Sequence, residues 1–518
     1  MGTKRIIVIG GSAAGPKAAS KARRMDEDAE ITIFQKASDL SMASCGYPYY
    51  VGGFFDDRSQ LLCSPAGVVR DAKFFWNAKK INTRVLTEVT RIDRKQKMVE
   101  FTDLTTGKAG TAAYDKLVIA TGSNARKPPV PGVELAGITT LQSLSDADYL
   151  RKIKDEGVIK KAVVIGGGLI GIETLEALHL AGIHITLIEL LPQLLTFLDK
   201  HMARLVEKYV QTKVNVILQN GVASFLGENG VLKAVKLQDG TEIPCDLAVV
   251  AIGVTPNNKL AKEAGLAIGE TGGILVDEYM QTVDPDIYAI GDCVEIPHLI
   301  TRKPVHAPFG DLANLQGRVA GENLISGNVV KFPGTIQTGI CKVFDYGVGS
   351  TGLSEKNALK LGYTDIETVV NASLDKPGFM NGNLLITKLL VEKRSGKILG
   401  AQVIGPGDVS KQVAIWAMAI KGQFNVDDMV NADLPYAPPF SLAIDHSVAT
   451  AHVMQNKLKG LFRGISAEQL KDKLKNKEPM LLLDVRNPNE FEEVRLGIGE
   501  RLVPLGQLRN RLGENARG

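Results

Sequence analysis

The 518-residue sequence lacks a long hydrophobic run and any concentrated block of basic residues. No stretch approaches the ~18 apolar residues that a membrane-spanning helix needs, so no membrane partner is expected. The chain enters an apolar strand at Arg5 without a preceding hydrophobic region and cleavage site, so a signal peptide is not expected either. The net charge is only +4, which argues against a nucleic acid as the partner.

Cysteine is scarce as well. The five cysteines, at positions 45, 63, 245, 293 and 341, are scattered and odd in number. They form neither a disulfide framework nor the spacing of a zinc site, so we expect no metal and a cytoplasmic protein with reduced thiols. Apolar residues make up 44% of the chain and charged residues 23%, which excludes wholesale disorder and, at this length, predicts several globular domains.

A glycine-rich turn follows the first apolar strand. Gly10 permits a tight turn, the small Ser12 lets the backbone approach a pyrophosphate, and Gly15 lets the following helix pack closely on the strand. Gln35 ends the next strand, where an acidic residue is expected to bind a ribose, and its amide can still hydrogen-bond a hydroxyl. The segment predicts a βαβ unit that binds a dinucleotide.

The same pattern occurs a second time, in complete form. Gly166, Gly168 and Gly171 follow an apolar strand, and Glu189 ends the strand after the next helix. A carboxylate there holds both ribose hydroxyls and repels a 2′-phosphate, and no basic residue follows it, so NADH is favoured over NADPH. Two such turns in one chain indicate two dinucleotides and electron transfer between them.

Three further apolar segments each lead into a glycine. They are Leu117 to Ser123 with its Ala-Thr-Gly turn, Leu247 to Gly253, and Ile287 to Cys293 with its Gly-Asp turn. Together with the two glycine turns, residues 4 to 455 resemble the two-dinucleotide-binding flavoprotein disulfide reductases. The resemblance implies an α/β fold with two Rossmann-like, glutathione-reductase-like domains, an α+β dimerisation domain and a homodimer.

The expected domain boundaries follow from this resemblance. An FAD-binding domain is expected at residues 1–115 and 250–325, with an NADH-binding domain inserted at 116–249 and an interface domain at 331–455. The segment 463–518 contains Asp484-Val485-Arg486 and Glu490-Phe491, and resembles the first half of a rhodanese domain. Ser466 is expected to cap its first helix, with Gln469 completing a capping box. No cysteine follows Cys341, so the segment is expected to be an incomplete rhodanese-like unit without sulfurtransferase activity.

The resemblance also implies the cofactor-binding residues, among which Asp292 is expected to hydrogen-bond the FAD ribityl chain. The residues implied for FAD are Gly10, Gly11, Ser12, Ala14, Gly15, Gln35, Lys36, Val89, Thr121, Gly122, Gly291, Asp292 and Ala313. The residues implied for NADH, with NADPH as the alternative coenzyme, are Gly166, Gly168, Leu169, Ile170, Gly171, Glu189 and Gly253.

One cysteine stands where the family carries its redox-active sulfur. Glutathione-reductase-like members have a pair of cysteines five positions apart, whereas this chain has Cys45 and, at position 50, a tyrosine. The segment therefore resembles the single-cysteine branch: coenzyme A-disulfide reductases, persulfide or polysulfide reductases, and NADH oxidases and peroxidases. The Cys45 thiolate is expected to be the nucleophile, with its pKa lowered by the flavin and a helix N-terminus.

Several polar residues match the coenzyme A-disulfide reductases. The resemblance implies a coenzyme A moiety, as substrate or tightly bound ligand, on Lys17, Lys21, Arg24, Ser41, Ser44 and Lys79. Tyr436, in a Tyr-Ala-Pro-Pro segment, is expected to supply a proton from the other subunit. Leu169 replaces a common tyrosine, and residues 375–382 lack another tyrosine. These departures weaken the match to coenzyme A disulfide and leave a persulfide or polysulfide as the substrate.

The expected function is FAD-dependent reduction of coenzyme A disulfide, coenzyme A persulfide or polysulfide by NADH. An NADH oxidase or peroxidase with a cysteine sulfenic acid is the main alternative, but the first glycine turn, Ser12-Ala13-Ala14, lacks the histidine of those enzymes. A cysteine-independent flavoprotein reductase and a redox-sensing or docking protein are further alternatives. The role of His306, which is close to the flavin-side segment in sequence, stays open.

Overall fold

The computed structural model describes residues 3–511, and these divide between Lys459 and Gly460 into two compact units. Within the described residues, no helix is long and apolar enough to cross a bilayer. The same residues contain no group of three or more histidine, cysteine or acidic side chains that could hold a metal ion.

The first domain is built on a parallel five-stranded sheet. In spatial order its strands are Ile287–Ala289, Lys116–Ile119, Arg5–Ile9, Glu30–Phe34 and Ile81–Arg84. The strands Arg5–Ile9, Lys116–Ile119 and Ile287–Ala289 are mostly apolar and buried, because helices cover the sheet. The helices of this domain are Ala14–Met25, Ala72–Lys79, Lys259–Glu263 and Gly310–Ser326. Two small sheets complete it, one of Thr87–Asp93, Met98–Asp103 and Ala109–Ala113, the other of Ile274–Leu275, Val294–Pro297 and Pro304–Val305.

The inserted domain repeats this architecture. Its parallel sheet has the spatial order Asn215–Leu218, His184–Glu189, Lys161–Ile165, Leu247–Val250 and Ile138–Thr139. Its helices are Leu144–Glu156, Leu169–Leu180 and Lys200–Gln211. An antiparallel sheet of Val222–Glu228, Val231–Leu237 and Glu242–Pro244 lies beside them. The short helix Tyr47–Gly52, which follows the turn at Ser44–Gly46, packs on the helix Leu169–Leu180.

The expected boundary between residues 115 and 116 is wrong. The strand Lys116–Ile119 pairs in parallel with Arg5–Ile9, so it belongs to the first sheet. Ser123–Ala125 then pairs with Val254–Pro256, and these two strands mark the entry to and exit from the inserted domain. An apolar strand cannot be assigned to one of two similar sheets from sequence alone, because the assignment depends on which strand it pairs with.

The third domain is an antiparallel sheet with helices packed on it. In spatial order its strands are Gly339–Val343, Tyr346–Gly352, Ile398–Gly405, Leu384–Glu392 and Ile366–Leu374. Its helices are Glu355–Lys360, Val409–Lys421, Val426–Val430 and His446–Leu458. Trp416 is fully buried at the centre of its core.

A buried ionic network joins the inserted domain to this third domain. Lys388 is 2% exposed, and its Nζ lies 2.8 Å from Asp199 Oδ2 and 2.5 Å from Glu355 Oε2. Gln402 accepts from the Asp199 N–H at 2.9 Å and donates to its carboxylate at 2.8 Å. Each buried polar group is therefore satisfied by another.

The C-terminal unit is small and thinly packed. It contains the helices Ala467–Lys475, Pro488–Glu493 and Leu505–Leu508 and the parallel strand pair Leu483–Asp484 and Arg501–Leu502. Ser466 and Gln469 form the predicted capping box. Among residues 460–511, only Val503 is buried, as expected for a unit too short to enclose a core.

A buried histidine in the third domain predicts that acid destabilises the protein. His446 hydrogen-bonds the Ser373 hydroxyl at 2.6 Å through Nδ1 and the Thr387 hydroxyl at 2.8 Å through Nε2. Burial lowers its pKa to about 4. Unfolded chains bind a proton at this histidine below about pH 6.5, whereas the folded chain does not until about pH 4.

We therefore expect this histidine to lower the free energy of unfolding by about 3 kcal/mol as the pH falls from 6.5 to 4. The measurement is the urea denaturation midpoint across this range for the wild type and His446→Asn. The variant should lose the part of the pH dependence that His446 causes. Identical pH slopes in the two proteins would contradict the assignment.

Candidate active site

The first glycine turn is closed by backbone contacts that only glycine permits. Gly10 has φ +110°, and its N–H donates to the Phe34 carbonyl at 2.8 Å. A Cβ on Gly15 would lie 2.0 Å from the Gly10 carbonyl oxygen, so the helix can begin this close to the strand only with glycine. The Gly11 N–H donates to Gln35 Oε1 at 2.9 Å.

The second turn has the same geometry. Gly166 has φ +108°, a Cβ on Gly171 would lie 1.9 Å from the Gly166 carbonyl oxygen, and the Gly167 N–H donates to Glu189 Oε2 at 2.6 Å. Gln35 and Glu189 thus occupy corresponding positions, and an amide oxygen serves the first turn as a carboxylate serves the second. Gln35 is buried and its amide also donates to the Asp39 carbonyl, so a ribose contact by Gln35 stays a prediction.

Three of the residues predicted for FAD converge at the first turn. Gly291 has φ +80°, and a Cβ built on it would lie 3.1 Å from Ala14 Cβ and 3.8 Å from Ala313 Cβ. The Gly291 N–H donates to Gln316 Oε1 at 2.6 Å, a contact that the sequence did not indicate. These small residues leave a cradle that larger side chains would fill, which fits the pyrophosphate and ribityl chain of FAD.

Asp292 and its neighbours extend this cradle. Ser123 donates to Asp292 Oδ2 at 3.2 Å, and His306 Nε2 lies 2.8 Å from the Asp292 backbone carbonyl oxygen. Burial raises the pKa of the Asp292 carboxyl. Thr121 donates to the Asn257 carbonyl at 2.7 Å. Two of the other predicted residues face open space: Ser12 is exposed, and Gly122 has φ +69° with nothing near the position of a Cβ. The other two have protein neighbours, since Lys36 pairs with Glu88 at 2.8 Å and Val89 is buried.

The residues predicted for NADH surround the second turn. Gly168 has open space where a side chain would be, Leu169 and Ile170 begin the helix Leu169–Leu180, and Ile170 is 41% exposed. Gly253 has φ +95° and likewise faces open space. This set of small residues beside an acidic strand end fits a second dinucleotide.

Cys45 lies in the short turn Ser44–Gly46, and its side chain is solvent accessible. A Cβ on Gly310 would lie 3.6 Å from its sulfur. Partial burial raises the pKa of the Cys45 thiol, and the carboxylates of Glu173, Asp292 and Asp311 raise it further. The expected lowering of this pKa is therefore not produced by the surrounding protein, because the charged groups that face the sulfur are acids.

A group of basic side chains is connected to the segment that precedes Cys45, because Arg70 donates to the Ser41 carbonyl. Burial and the neighbouring guanidinium groups of Arg318, Arg24 and Arg70 lower the pKa of Lys17. Burial, Arg24, Lys17 and Arg70 lower the pKa of Lys79 to about 8, and its Nζ donates to Ser20 Oγ at 2.7 Å. We call Lys17, Arg24, Arg70, Lys79 and Arg318 the basic cluster. Among the described residues, none of the five forms a salt bridge with a carboxylate.

The cluster differs in two ways from the prediction. Lys21 pairs with Glu322 at 2.9 Å, so its charge is neutralised. Arg70 and Arg318 were not predicted. Arg318 follows Gly317, where a Cβ would lie 2.6 Å from the Ala14 carbonyl oxygen and 3.0 Å from Lys17 Cβ. The Gly317-x₃-Gly321 spacing could have indicated this close packing of two helices, whereas Arg70 gave no signal in the sequence.

Three predicted residues remain: Ser41 and Ser44 are close to Cys45 in the sequence, and Tyr436 is far from it. Ser41 has φ +54°, and its carbonyl accepts from Arg70 at 3.0 Å, which ties it to the basic cluster. Ser44 is exposed beside Cys45. Tyr436 is 53% exposed, in the segment that precedes the helix His446–Leu458. Its role depends on a second subunit and stays a prediction.

Two dinucleotide-binding turns and the exposed Cys45 define the class of flavoprotein reductases that pass electrons from a nicotinamide to sulfur. The pyridine nucleotide-disulphide oxidoreductase description matches residues 4–307, and the dimerisation domain of these proteins matches residues 338–448. The chain belongs to the pyridine nucleotide-disulphide oxidoreductase family. The expected enzyme class, an NAD(P)H-dependent flavoprotein disulfide reductase, and the expected fold class are thereby confirmed.

Solved structures of similar proteins cover nearly the whole chain. A NAD-dependent persulfide reductase from A. fulgidus has a TM-score of 0.93 and 42% identity, over 98% of this chain and 92% of that chain. Reduced Bacillus anthracis CoADR-RHD has a TM-score of 0.93 and 35% identity, over 99% and 90%. The NAD(P)H coenzyme A polysulfide/persulfide reductase of Pyrococcus horikoshii is 33% identical over 453 residues, 87% of this chain and 98% of its own. NADH oxidases are also among the relatives.

Proposed function

We propose that this enzyme uses NADH to reduce a coenzyme A-bearing persulfide or disulfide, or a polysulfide, through Cys45. The observation that carries the proposal is the combination of the exposed Cys45 with the basic cluster, which Arg70 connects to Ser41, four residues before that cysteine. Position 50 is a tyrosine, so the reaction has to proceed through a mixed disulfide or persulfide with the substrate. The names of the similar proteins support the same class of substrate.

The basic cluster supports a phosphate-bearing substrate. In the part of the chain that the structure describes, none of the five cations pairs with a carboxylate. Burial lowers the pKa values of Lys17 and Lys79, and repulsion among the cations lowers them further. An anion bound among them would relieve the repulsion and restore the full charge of Lys79. Coenzyme A carries several phosphate groups next to its adenosine, and a flexible arm that ends in sulfur. Phosphates on the basic cluster would leave that sulfur free to reach Cys45.

Individual residues of the chain have separate roles in the proposed reaction. When bound, NADH and FAD supply the two electrons that reduce the sulfur–sulfur bond. The small residues Ala14, Gly291 and Ala313 would leave room for the flavin beside the first turn, and Asp292 would hydrogen-bond its ribityl chain. The Cys45 thiolate attacks the substrate sulfur, breaks the sulfur–sulfur bond and expels a thiolate, which Tyr436 from the second subunit would protonate. Cys45 is left in a mixed disulfide or persulfide, and the two electrons that come from NADH reduce it back to the thiolate. The dimerisation domain supports a homodimer, on which this role of Tyr436 depends.

Glu189 supports NADH as the coenzyme. Its Oε2 accepts from the Gly167 N–H and its Oε1 from the Leu191 N–H at 2.7 Å, which fixes the carboxylate beside the second turn. A 2′-phosphate at this place would meet a negative charge without a basic side chain immediately after it in the sequence. An oxidase function is less well supported, because the first turn carries no histidine that could donate a proton.

Neutralising the basic cluster should separate the candidate substrates. With Lys79→Ala we expect KM for coenzyme A persulfide or disulfide to rise roughly tenfold or more, because a charge-assisted hydrogen bond contributes about 1.5–3 kcal/mol. KM for inorganic polysulfide should stay the same, since it carries no phosphate. The assay is anaerobic NADH oxidation, with NADPH in a parallel series.

Lys80→Ala is the matched control, because Lys80 is adjacent but lies over the Trp76 ring and outside the cluster. Equal effects of Lys79→Ala on both classes of substrate would contradict phosphate binding by the cluster. Turnover of polysulfide alone would leave the reductase function in place and remove coenzyme A from the proposal.

A further inference from the structure

Tyr436 lies on a segment of the third domain that forms neither helix nor strand. The segment comprises residues 431–444, just before the helix His446–Leu458, and we call it the arm. Its large side chains find little packing within their own subunit, since Tyr436, Phe440 and Ile444 are 53%, 75% and 51% exposed. Contacts other than apolar packing therefore have to hold Tyr436 in place.

A cavity lies between the two halves of the arm. Its volume is about 320 Å³, and its walls include Leu434 from the first half and Leu442 from the second. With a gap of this size between them, the two halves do not pack on each other. Ser441 is the exception to the open packing, because among residues 431–444 it is the only one that is buried.

Asp445 is buried directly after the arm, and its two carboxylate oxygens have different partners. Oδ1 accepts from the Ser447 N–H at 2.9 Å and from the Gln412 amide at 3.0 Å, so it caps the helix that follows the arm. Oδ2 accepts from the Ser441 hydroxyl at 2.9 Å and contacts the Lys411 ammonium group at 2.8 Å. One oxygen therefore caps the helix, and the other holds the arm.

Lys411 makes a second connection to the arm. Its Nζ also donates to the Phe440 carbonyl at 3.3 Å. The N–H groups of Phe440 and Ser441 in turn donate to the Ala437 carbonyl, at 2.9 and 3.1 Å. This chain of hydrogen bonds ends one residue from Tyr436, so a change at the carboxylate is transmitted to the tyrosine.

We propose that Asp445 is a positioning residue that fixes Tyr436, through the arm, at the place where the leaving thiolate is protonated. A proton donor acts only within hydrogen-bond reach of its acceptor, so an arm displaced by about 1 Å loses much of the rate. A polar anchor is needed because the arm has little apolar packing of its own. The inference rests on the proposed role of Tyr436 but not on which sulfur compound is the substrate.

Asp445→Asn tests this anchor by kinetics. Asparagine caps a helix as well as aspartate does, but its amide group donates hydrogen bonds where Oδ2 accepts them, so it cannot bind the Lys411 ammonium group. We expect kcat to fall roughly tenfold or more with KM within about twofold of the wild type, because the substrate still binds while its proton donor is displaced. The assay is anaerobic NADH oxidation by the FAD-loaded enzyme, with coenzyme A disulfide, coenzyme A persulfide and polysulfide in parallel.

A double variant shows whether the effect passes through the tyrosine. Added to Tyr436→Phe, Asp445→Asn should cause no further fall in kcat, because the group that it positions is already absent. General damage to the fold would instead lower kcat again. A further fall comparable to that in the wild-type background overturns the inference.

Hydrogen–deuterium exchange of the arm tests the anchor without turnover. Peptides that contain the Phe440 and Ser441 amides should exchange roughly tenfold faster in Asp445→Asn, because local opening of the arm becomes easier. Peptides from the strand Leu384–Glu392 should keep the wild-type rate. Lys411→Met should loosen the arm in the same way, and it decides the question if Asp445→Asn does not fold.

Asp408→Asn is the matched control. Asp408 caps the helix Val409–Lys421 and accepts from the Lys411 N–H at 3.0 Å, so the same substitution is made at a helix start that does not bind the arm through its carboxylate. It should leave kcat and the exchange of the arm within about twofold of the wild type.

The outcomes separate this inference from the proposed function. Wild-type exchange of the arm in both Asp445→Asn and Lys411→Met overturns the inference, as does an equal fall of kcat in Asp408→Asn. If Tyr436→Phe leaves turnover unchanged, the proposed role of Tyr436 is refuted together with the catalytic part of the inference. The exchange rates then still decide whether Asp445 holds the arm.

Discussion

Replacing Cys45 by serine should reduce kcat/KM for every sulfur substrate by roughly a thousandfold or more, because loss of a covalent nucleophile removes the whole reaction path. Serine keeps the size of the side chain, so the cradle formed by Gly291, Ala14 and Ala313 should still bind FAD. The measurement is anaerobic NADH consumption with coenzyme A disulfide, coenzyme A persulfide and polysulfide offered in parallel. The FAD content of both proteins is determined by absorbance.

Cys63→Ser is the control for this experiment. Cys63 is partly exposed like a reactive thiol, but it lies in an isolated bridge with Val69 and matches no motif. Its substitution should leave turnover within about twofold of the wild type, in keeping with the small effects of most surface changes. Turnover that survives in Cys45→Ser would refute the proposed mechanism. Oxidation of NADH in air, without turnover of any sulfur compound, would favour the oxidase alternative.

The second large effect is expected on stability, from Lys388→Met. The substitution leaves Asp199, whose side chain is 5% exposed, without its buried cation, and it leaves Glu355 without a partner. Breaking one side of a buried ion pair costs about 3–5 kcal/mol, because the remaining charge stays in a medium of low polarity. We expect the free energy of unfolding to fall by this amount, measured by urea denaturation at a fixed FAD concentration.

A comparison within the same domain tests this explanation. Lys393 follows the same strand, is 59% exposed and lies 4.0 Å from Glu367, so Lys393→Met should change stability by less than about 0.5 kcal/mol. Adding Asp199→Asn to Lys388→Met should recover part of the lost stability, because the uncompensated charge is removed. A double variant as unstable as the sum of its parts would show that packing, rather than charge, makes Lys388 important.

Local patterns in the sequence predicted both dinucleotide turns, because each turn depends on glycines at fixed spacing within about 25 residues. Gly10, Gly15, Gly166 and Gly171 all make the close backbone contacts that the spacing implies. The capping box of Ser466 is local in the same sense. Such features are encoded by neighbours in the chain, and no knowledge of the tertiary fold is needed to find them.

Features that depend on distant partners were predicted less well. The strand Lys116–Ile119 was assigned to the wrong domain, because its place is decided by pairing with residues more than a hundred positions away. Lys21 shares a helix with Lys17, yet it is neutralised by Glu322, three hundred positions on. The acids around Cys45 come from three separate segments, so the direction of the thiol pKa could not be derived from the sequence around the cysteine.

The close contact between the helices Ala14–Met25 and Gly310–Ser326 has a consequence for how the two binding regions respond to each other. Ala14 touches the flavin cradle, Lys17 belongs to the basic cluster, and both rest on Gly317. Ala14 and Lys17 lie within the first turn of the same helix, so a side chain larger than hydrogen at position 317 would displace both of them at once. If flavin and phosphate bind where we propose, such a substitution would weaken the affinity for both ligands together, and the two affinities could not be changed separately at this position.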